Sequence, residues 1–198
     1  MILAQKEIRA ELAKKAIKFD PPIEEHQWGP ASINLRLGTR FTTFREAPNV
    51  TFSISQGISG LQETALWNEE QFQLHDALGK KRTLVLEPKE FVLGVTHEHV
   101  WIPRHLIGMV EGRSSYARAG ISIHQTAPWL QPGWDGQITL EIRNNGKYKI
   151  SLCPLEDMPC QITFHKLTST VPPKDAYGSK PTDAFQNQTS PMAKKKKA

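Results

Sequence analysis

The chain has 198 residues, 38% of them hydrophobic, which suits one well-packed domain with short appendages. Its formal net charge of +5 comes mostly from the terminal run Lys194–Lys197, and because such a tail is usually solvated we expect no nucleic-acid partner. Two cysteines, Cys153 and Cys160, exclude a disulfide framework, and no stretch approaches the roughly 20 apolar residues of a membrane span, so we expect a cytoplasmic protein without membrane contact.

The amino-terminal segment predicts an amphipathic helix over residues 2–17. Ile8, Leu12 and Ala16 recur there at roughly helical spacing, with lysine and glutamate between them. The proline- and glycine-punctuated residues 20–30 then predict a connection.

Period-2 alternation begins in ASINLRLG, where Ile33, Leu35 and Leu37 alternate with polar residues. This pattern is typical of a half-buried strand. Further strands are predicted in RFTTF and NVTFSI, and the less regular residues 56–83 predict a loop or insertion.

Short strands return at regular spacing between Thr83 and Leu167. They are TLVLEP, EFVLGVTHEHVWIP, LIGMVEGR, GISIHQ, GQITLEIRN, KISLCP and CQITFHKL, with glycine, proline or asparagine at the breaks. Many short strands with turns every 8–12 residues are typical of a sandwich or barrel. We therefore predict a mainly β domain over residues 1–167, followed by a carboxy-terminal arm and lysine-rich tail over residues 168–198.

Several familiar chemistries lack their motifs here. Zinc-dependent nucleobase deaminases carry H-x-E and P-C-x-x-C motifs, and neither is present. Cys153 and Cys160 are too far apart in sequence for a zinc-binding pair. Walker A and dinucleotide-binding glycine motifs are also missing from the sequence, which therefore predicts no zinc site and no phosphate-binding glycine loop.

Residues 111–142 concentrate the polar chemistry of the chain. Within GRSSYAR, Arg113 and Arg118 lie beside Ser114 and Ser115, and this set of donors suits phosphate oxygens. The alternative is a short helix capped by one of the serines, with both arginines in surface ion pairs. A helix N-terminus also attracts anions, so the two interpretations are compatible.

One acid lies in the middle of a predicted strand, a position that disfavours isolated acids. In GQITLEI, Ile138, Leu140 and Ile142 alternate with Thr139 and Glu141. The Glu141 side chain points either to solvent or into a pocket, and spacing alone leaves both possibilities open.

A family resemblance rests on GRSSYARAG, HQTA and PGWDGQITLEIRNNGK taken together. These motifs resemble the deoxycytidine triphosphate (dCTP) deaminase family, within the wider trimeric deoxyuridine triphosphatase (dUTPase) fold. ASINLRLG and the arm around Tyr177 and Gln188 resemble the family as well, so the similarity covers most of residues 1–190. The combined motifs are specific, whereas GRSS alone marks only the superfamily.

The resemblance implies a distorted β-barrel or jelly-roll protomer and a homotrimer with active sites between subunits. It implies Glu141 as the general base, with Arg118 and Ser114 orienting that glutamate and its water. The backbone of Ala127 is implied to help hold the water. The reaction implied is the hydrolytic deamination of dCTP to deoxyuridine triphosphate (dUTP) and ammonia, which supplies dUTP for thymidylate synthesis.

The resemblance also implies the nucleotide contacts. Arg113 and Ser115 match phosphate contacts, and Tyr177 and Gln188 match residues of an arm that closes over the nucleotide. The full implied substrate-binding set is Arg113, Ser114, Ser115, Tyr116, Ala117, Arg118, Gln131, Thr139, Leu140, Glu141, Tyr177, Lys180 and Gln188. Mg²⁺ is expected to bind through the triphosphate, without zinc or protein metal ligands.

Two positions depart from the family pattern. Gln131 stands where both groups usually have aspartate, and Ala184 stands where the deaminases usually have lysine, with Lys180 nearby. In the dUTPases that aspartate binds the sugar 3′-hydroxyl and positions the hydrolytic water. Gln131 can hydrogen-bond a hydroxyl but cannot act as a base. The departure favours a deaminase over a dUTPase or a bifunctional enzyme, and a non-catalytic nucleotide-binding member of the fold is the third alternative.

Overall fold

The structure, a computed structural model, describes residues 1–53, 55, 61–62, 64 and 66–192. The predicted lysine-rich tail, residues 194–197, lies outside this part of the chain. Within it, no helix is long and apolar enough to cross a membrane.

Short strands dominate the described chain. Helix α1 spans Gln5–Ala13, helix α2 spans Ser114–Ala119, and 3₁₀ turns lie at Glu25–Gln27 and Pro173–Asp175. The strands are β1 (Lys18–Asp20), β2 (Ile33–Leu35), β3 (Leu37–Phe44), β4 (Trp67–Gln71), β5 (Leu84–Leu86), β6 (Phe91–Trp101), β7 (Leu106–Gly112), β8 (Ile121–Ser122), β9 (Trp129–Leu130), β10 (Asp135–Asn144), β11 (Ile150–Leu152) and β12 (Cys160–Lys166).

Antiparallel pairing joins these strands into three sheets. The largest has the order β4-β3-β6-β10-β8, with β1 also paired to β6. The second has the order β2-β12-β7-β9, and β5 pairs with β11. Side chains from both larger sheets, such as Leu140 and Phe164, share one hydrophobic core. The predicted mainly β fold is confirmed, and because the described sheets keep free edges the barrel is distorted and open.

Helix α1 is shorter than the predicted helix over residues 2–17. Ile8 is fully buried, as the apolar pattern indicates. The first residues instead join strand β12, where Ile2 forms a bridge with His165. At the other end Lys15 has a φ of 57°, a left-handed conformation that a helix cannot continue through.

The strand predicted in NVTFSI is wrong in its described part. Residues 49–53 form a turn and irregular backbone, and Ile54 lies outside the described residues. Val50 donates its N–H to Ala47 O at 3.0 Å, and 51% of Val50 is exposed. An apolar strand is stabilised by burial of its side chains, and Val50 is not buried here.

Strand β4 lies inside the region predicted to be a loop. Its residues Asn68, Glu69 and Glu70 are polar and exposed, so no alternation marks it in the sequence. Backbone pairing with β3 over residues 40–44 forms the strand instead. An edge strand can depend on main-chain hydrogen bonds alone, and these carry no side-chain pattern.

Candidate active site

Strand β10 carries the acid found by sequence analysis. Ile138, Leu140 and Ile142 are buried in the core, and by the period-2 alternation Thr139 and Glu141 lie on the opposite face. That face borders a cavity of about 460 Å³. The volume lies within the usual range of small-molecule pockets.

The cavity combines few polar groups with a large apolar wall. Thr139, Glu141, Ala127 and Gln188 line it together, although Ala127 and Gln188 are remote in sequence from β10. The apolar wall includes Phe44, Phe91, Leu93, Trp134, Ile138 and Phe185. Such a pocket excludes water from most of its surface while it leaves a few groups for directional bonding.

The Glu141 carboxylate is held by the main chain. Its Oε2 accepts a hydrogen bond from the backbone N–H of Gln125 at 2.6 Å, and the Glu141 N–H donates to Ile123 O at 2.9 Å. In the described chain no cation pairs with this carboxylate, and its second oxygen has no protein donor. Glu141 is therefore oriented and half-buried, with an oxygen free for a water or ligand.

Sequence reasoning missed Gln125 and left His124 without a role. Gln125 acts through its backbone N–H, which every residue type except proline supplies, so no residue pattern could have shown it. His124 also lines the cavity, and its Nε2 lies 3.0 Å from Glu111 Oε2. The buried His124 Nδ1 has no hydrogen-bond partner among the described residues.

The outer edge of β10 has a gap at Thr139. On one side of the gap the N–H of Gln137 donates to Gln188 O at 3.0 Å, and on the other the N–H of Glu141 donates to Ile123 O. Backbone groups of alternate strand residues face the same edge, so the N–H and C=O of Thr139 face the gap. No described strand pairs with Thr139 on this edge. The gap presents one donor and one acceptor.

The carboxy-terminal arm folds against its own chain. Gln188 forms a parallel bridge with Gly136, and the N–H of Asn187 donates to Asp135 O at 2.7 Å. The side-chain Nε2 of Gln188 donates to Gln137 O at 2.7 Å and to Thr139 Oγ1 at 3.0 Å. Only 5% of Gln188 is exposed, and the arm thus closes one side of the cavity.

Three other residues of the implied set meet at a second cavity of about 380 Å³, which Gln131, Tyr177 and Lys180 line. The Tyr177 ring lies 5.3 Å from that of Trp134, and its hydroxyl accepts the Phe185 N–H at 3.3 Å. Burial raises the pKa of Tyr177. Lys180 and Gln131 are exposed, so their polar ends remain available to a ligand.

The side chains expected to bind phosphate lie at the start of helix α2 and within it. Arg113 is its N-cap residue and no side chain caps the helix, so the predicted cap by Ser114 or Ser115 is wrong. Arg118 Nε donates to Ser114 Oγ at 3.2 Å. Neither arginine forms an ion pair with a described residue, so the alternative of surface ion pairs is wrong as well. Each guanidinium uses one N–H within the chain, and its other N–H groups remain open to an incoming anion.

The implied site residues thus fall into three groups within one chain. Thr139, Glu141, Ala127 and Gln188 share the first cavity, and Gln131, Tyr177 and Lys180 share the second. The α2 residues are not among the described lining of either cavity. These are Arg113, Ser114, Ser115, Tyr116, Ala117 and Arg118. Leu140 faces the core, which leaves its backbone as its only contact for a ligand.

Comparison with known proteins places the chain among relatives of one kind. A family model described as dCTP deaminase-like matches residues 2–167. The dUMP-forming dCTP deaminase of Methanosphaera stadtmanae is 36% identical over 195 residues, which cover 98% of this chain and 93% of that protein. The dCTP deaminase of Rhodospirillum rubrum is 34% identical over 194 residues, which cover 97% and 95%.

A solved structure supports the same fold. The crystal structure of 2′-deoxycytidine 5′-triphosphate deaminase from Agrobacterium tumefaciens superposes with a TM-score of 0.61 at 23% identity. The match covers 84% of this chain and 48% of that one.

Proposed function

The chain belongs to the dCTP deaminase-like family, and from this premise we propose that it deaminates dCTP to dUTP and ammonia. One observation carries the proposal: the Glu141 carboxylate is held by the Gln125 N–H in the wall of an apolar cavity, with its second oxygen free of protein donors. A general base must lie within hydrogen-bond reach of the proton it takes, and a water beside Glu141 satisfies this requirement.

The proposed chemistry needs no redox step. Water attacks C4 of the cytosine while Glu141 takes a proton from it, and the same carboxyl then delivers that proton to N3. As the tetrahedral intermediate collapses, Glu141 takes the proton of the C4 hydroxyl and passes it to the departing amino group, so that the C4–N bond breaks, a C4 carbonyl forms and ammonia leaves. Donors must meet the charge that develops at C4, and Ser114 is our candidate for a side-chain contribution.

We propose that the cytosine ring binds at the gap beside Thr139. The N–H and C=O of Thr139 offer one donor and one acceptor, and the edge of cytosine carries both an amino donor and ring acceptors. A cytosine bound there would extend the pairing of β10 and bring its ring beside Glu141. The apolar wall that includes Phe91 and Phe185 would cover the ring faces.

The triphosphate requires donors from another subunit in this proposal. Arg113 and Ser115 would bind phosphate oxygens, while Arg118 and Ser114 would orient Glu141 and its water. Because α2 lines neither cavity of its own chain, we propose that α2 of a neighbouring protomer completes each site in a homotrimer. The arm of the protomer that supplies Glu141 would also contact the nucleotide, through Tyr177, Lys180 and Gln188.

We propose that Mg²⁺ binds to the triphosphate of the substrate and not to protein ligands. The first turn of α2 holds no acidic residue, so its donors suit phosphate oxygens and not a metal ion. Bound through the triphosphate, Mg²⁺ would neutralise part of its charge. We expect purified active protein to contain no stoichiometric zinc. Loss of both zinc and activity on chelation, measured by metal analysis, would contradict the mechanism.

Some relatives raise dUMP as a second candidate product. Relatives such as that of Methanosphaera stadtmanae are dUMP-forming, which would require release of pyrophosphate as well. Gln131 argues for dUTP as the product here, since an amide cannot act as the base for that second hydrolysis. The dUTP would supply thymidylate synthesis, and the two free cysteines suit a cytoplasmic setting.

Product analysis tests these alternatives directly. The protein is incubated with dCTP and Mg²⁺, and in parallel with dUTP and Mg²⁺, and the products are separated by anion-exchange chromatography. We expect ammonia and dUTP from dCTP and no turnover of dUTP. Formation of dUMP from dCTP would contradict the product assignment. Binding of dCTP without ammonia release would instead favour the non-catalytic alternative.

A further inference from the structure

Tyr116 lies in helix α2, whose side chains we propose bind phosphate, yet its hydroxyl is turned toward the loop before β12. The hydroxyl donates to Asp157 Oδ1 at 2.8 Å and accepts the N–H of Met158 at 3.2 Å. Both of its main hydrogen-bonding roles are thus used within the chain. Burial and the bond to Asp157 raise the pKa of Tyr116 to about 12, so the phenol stays protonated in any ordinary assay.

The same loop also holds Arg113. Arg113 Nη1 donates to Met158 O at 3.1 Å, and the Arg113 N–H donates to Pro159 O at 3.0 Å. Tyr116 therefore holds the N–H of Met158 while Arg113 binds its C=O. The guanidinium carbon of Arg113 also lies 5.9 Å from the Tyr116 ring centroid, within the range of a cation–π contact.

Asp157 makes the loop a firm support. Its Oδ2 accepts the N–H of Cys153 at 2.6 Å, and its own N–H donates to Cys153 O at 2.9 Å. Its carbonyl accepts the N–H of Leu37 at 2.8 Å, which ties the loop to the start of β3. The Tyr116 hydroxyl thus connects α2 to backbone that is anchored at several points.

We propose that Tyr116 is a positioning residue for Arg113, which it holds in the orientation that meets the triphosphate. The inference rests on the proposed function, because it assumes that Arg113 binds phosphate. Arginine has five N–H donors, and the loop uses one of those of Arg113, so four remain for phosphate oxygens. A guanidinium held on two sides loses less rotamer freedom when the nucleotide binds.

The test removes one atom. Tyr116→Phe keeps the ring and deletes the hydroxyl that holds Asp157 and Met158. We expect KM for dCTP to rise roughly 3- to 10-fold, the equivalent of one lost hydrogen bond, with kcat nearly unchanged. Tyr148→Phe is the matched control, because 81% of Tyr148 is exposed and no hydrogen bond to its hydroxyl is present in the described chain. It should match the wild type.

Two further measurements separate positioning from general stability. Deoxycytidine lacks phosphates, so Tyr116→Phe should leave its inhibition constant unchanged while it weakens dCTP binding. Asp157→Asn leaves one carbonyl oxygen for two donors, the Tyr116 hydroxyl and the Cys153 N–H, so it should likewise raise KM for dCTP while it leaves the inhibition constant of deoxycytidine unchanged. Equal weakening of dCTP and deoxycytidine, or a KM equal to that of wild type, would overturn the inference.

Failure of the proposed function looks different from failure of the inference. If wild-type protein released no ammonia from dCTP, the deaminase assignment would fail for every variant alike. Calorimetric binding of dCTP to wild type, Tyr116→Phe and Tyr148→Phe would then still test the positioning role. An unchanged dissociation constant in Tyr116→Phe would overturn it in that case too.

Discussion

Glu141 is an acid that strand alternation turns away from the core and a backbone N–H holds in place. Glu141→Gln keeps the shape and one oxygen that can accept the Gln125 N–H, but it cannot take a proton from water. We expect kcat for ammonia release from dCTP to fall about 10²- to 10⁴-fold, with dCTP binding retained. Steady-state kinetics and calorimetric titration measure the two effects. Near-wild-type ammonia release would show that Glu141 is an ordinary strand residue.

Substitution of Arg113 should affect substrate binding more than kcat, the opposite of Glu141→Gln. Arg113→Ala removes a charge-assisted contact to phosphate, worth roughly 1.5–3 kcal/mol, so KM for dCTP should rise about 10- to 150-fold while kcat changes less. Arg40→Ala is the control, because Arg40 is exposed on β3 and bonds only Gln71 among the described residues. A normal KM in Arg113→Ala would contradict its assignment to the phosphates.

The arm is the element that closes over the cavity, and two of its contacts use the Thr139 hydroxyl. Gln188 Nε2 donates to Thr139 Oγ1 at 3.0 Å, and that hydroxyl lies 3.4 Å from Pro191 O. Among the described residues Gln188 Oε1 is buried without a hydrogen-bond partner, which favours an opening that lets water reach it. The closed arm is therefore held against a cost, and removal of the Thr139 hydroxyl should shift it toward opening.

Thr139→Val tests this balance, since valine matches the shape of threonine without its hydroxyl. We expect amide exchange at residues 186–188 to become roughly 3- to 10-fold faster without nucleotide. Hydrogen–deuterium exchange with mass spectrometry measures it. Thr163→Val is the control, because Thr163 lies on β12 and its hydroxyl bonds Met109 O and His165 instead of the arm. Unchanged exchange in Thr139→Val would show that other contacts hold the arm.

For the whole molecule, we predict a trimer whose active sites lie between protomers. If the site lies between protomers, a trimer of about three times 22.3 kDa should form. At dCTP concentrations well below KM, co-expressed Glu141→Gln and Arg113→Ala chains should then release ammonia faster than either variant does alone. With equal mixing about a quarter of the sites would pair an intact Glu141 with an intact Arg113.

Light scattering and the deaminase assay check both parts of that prediction. The control mixes the two proteins after separate purification, under conditions that prevent subunit exchange, and it should show no recovery. An active monomer, or co-expressed chains without recovered activity, would place the whole site in one protomer.

Local patterns in the sequence determined much of the fold and part of the site. Alternation in ASINLRLG and GQITLEI predicts strands β2 and β10, and it places Thr139 and Glu141 on a shared face. This succeeds because side-chain direction along a strand depends on the backbone of that strand alone. The cluster of donors in residues 113–118 was also visible, because these residues are neighbours in the sequence.

Tertiary structure alone decided which of these groups meet. The Tyr116 hydroxyl bonds Asp157 across 41 residues of chain, and Gln188 reaches Thr139 across 49. Gln125 holds Glu141 through a backbone N–H that carries no residue signature. Contacts of this kind arise from how the sheets pair and how the arm returns along β10. They depend on the closure of long loops, whose geometry is set by the whole packed chain and not by any local pattern.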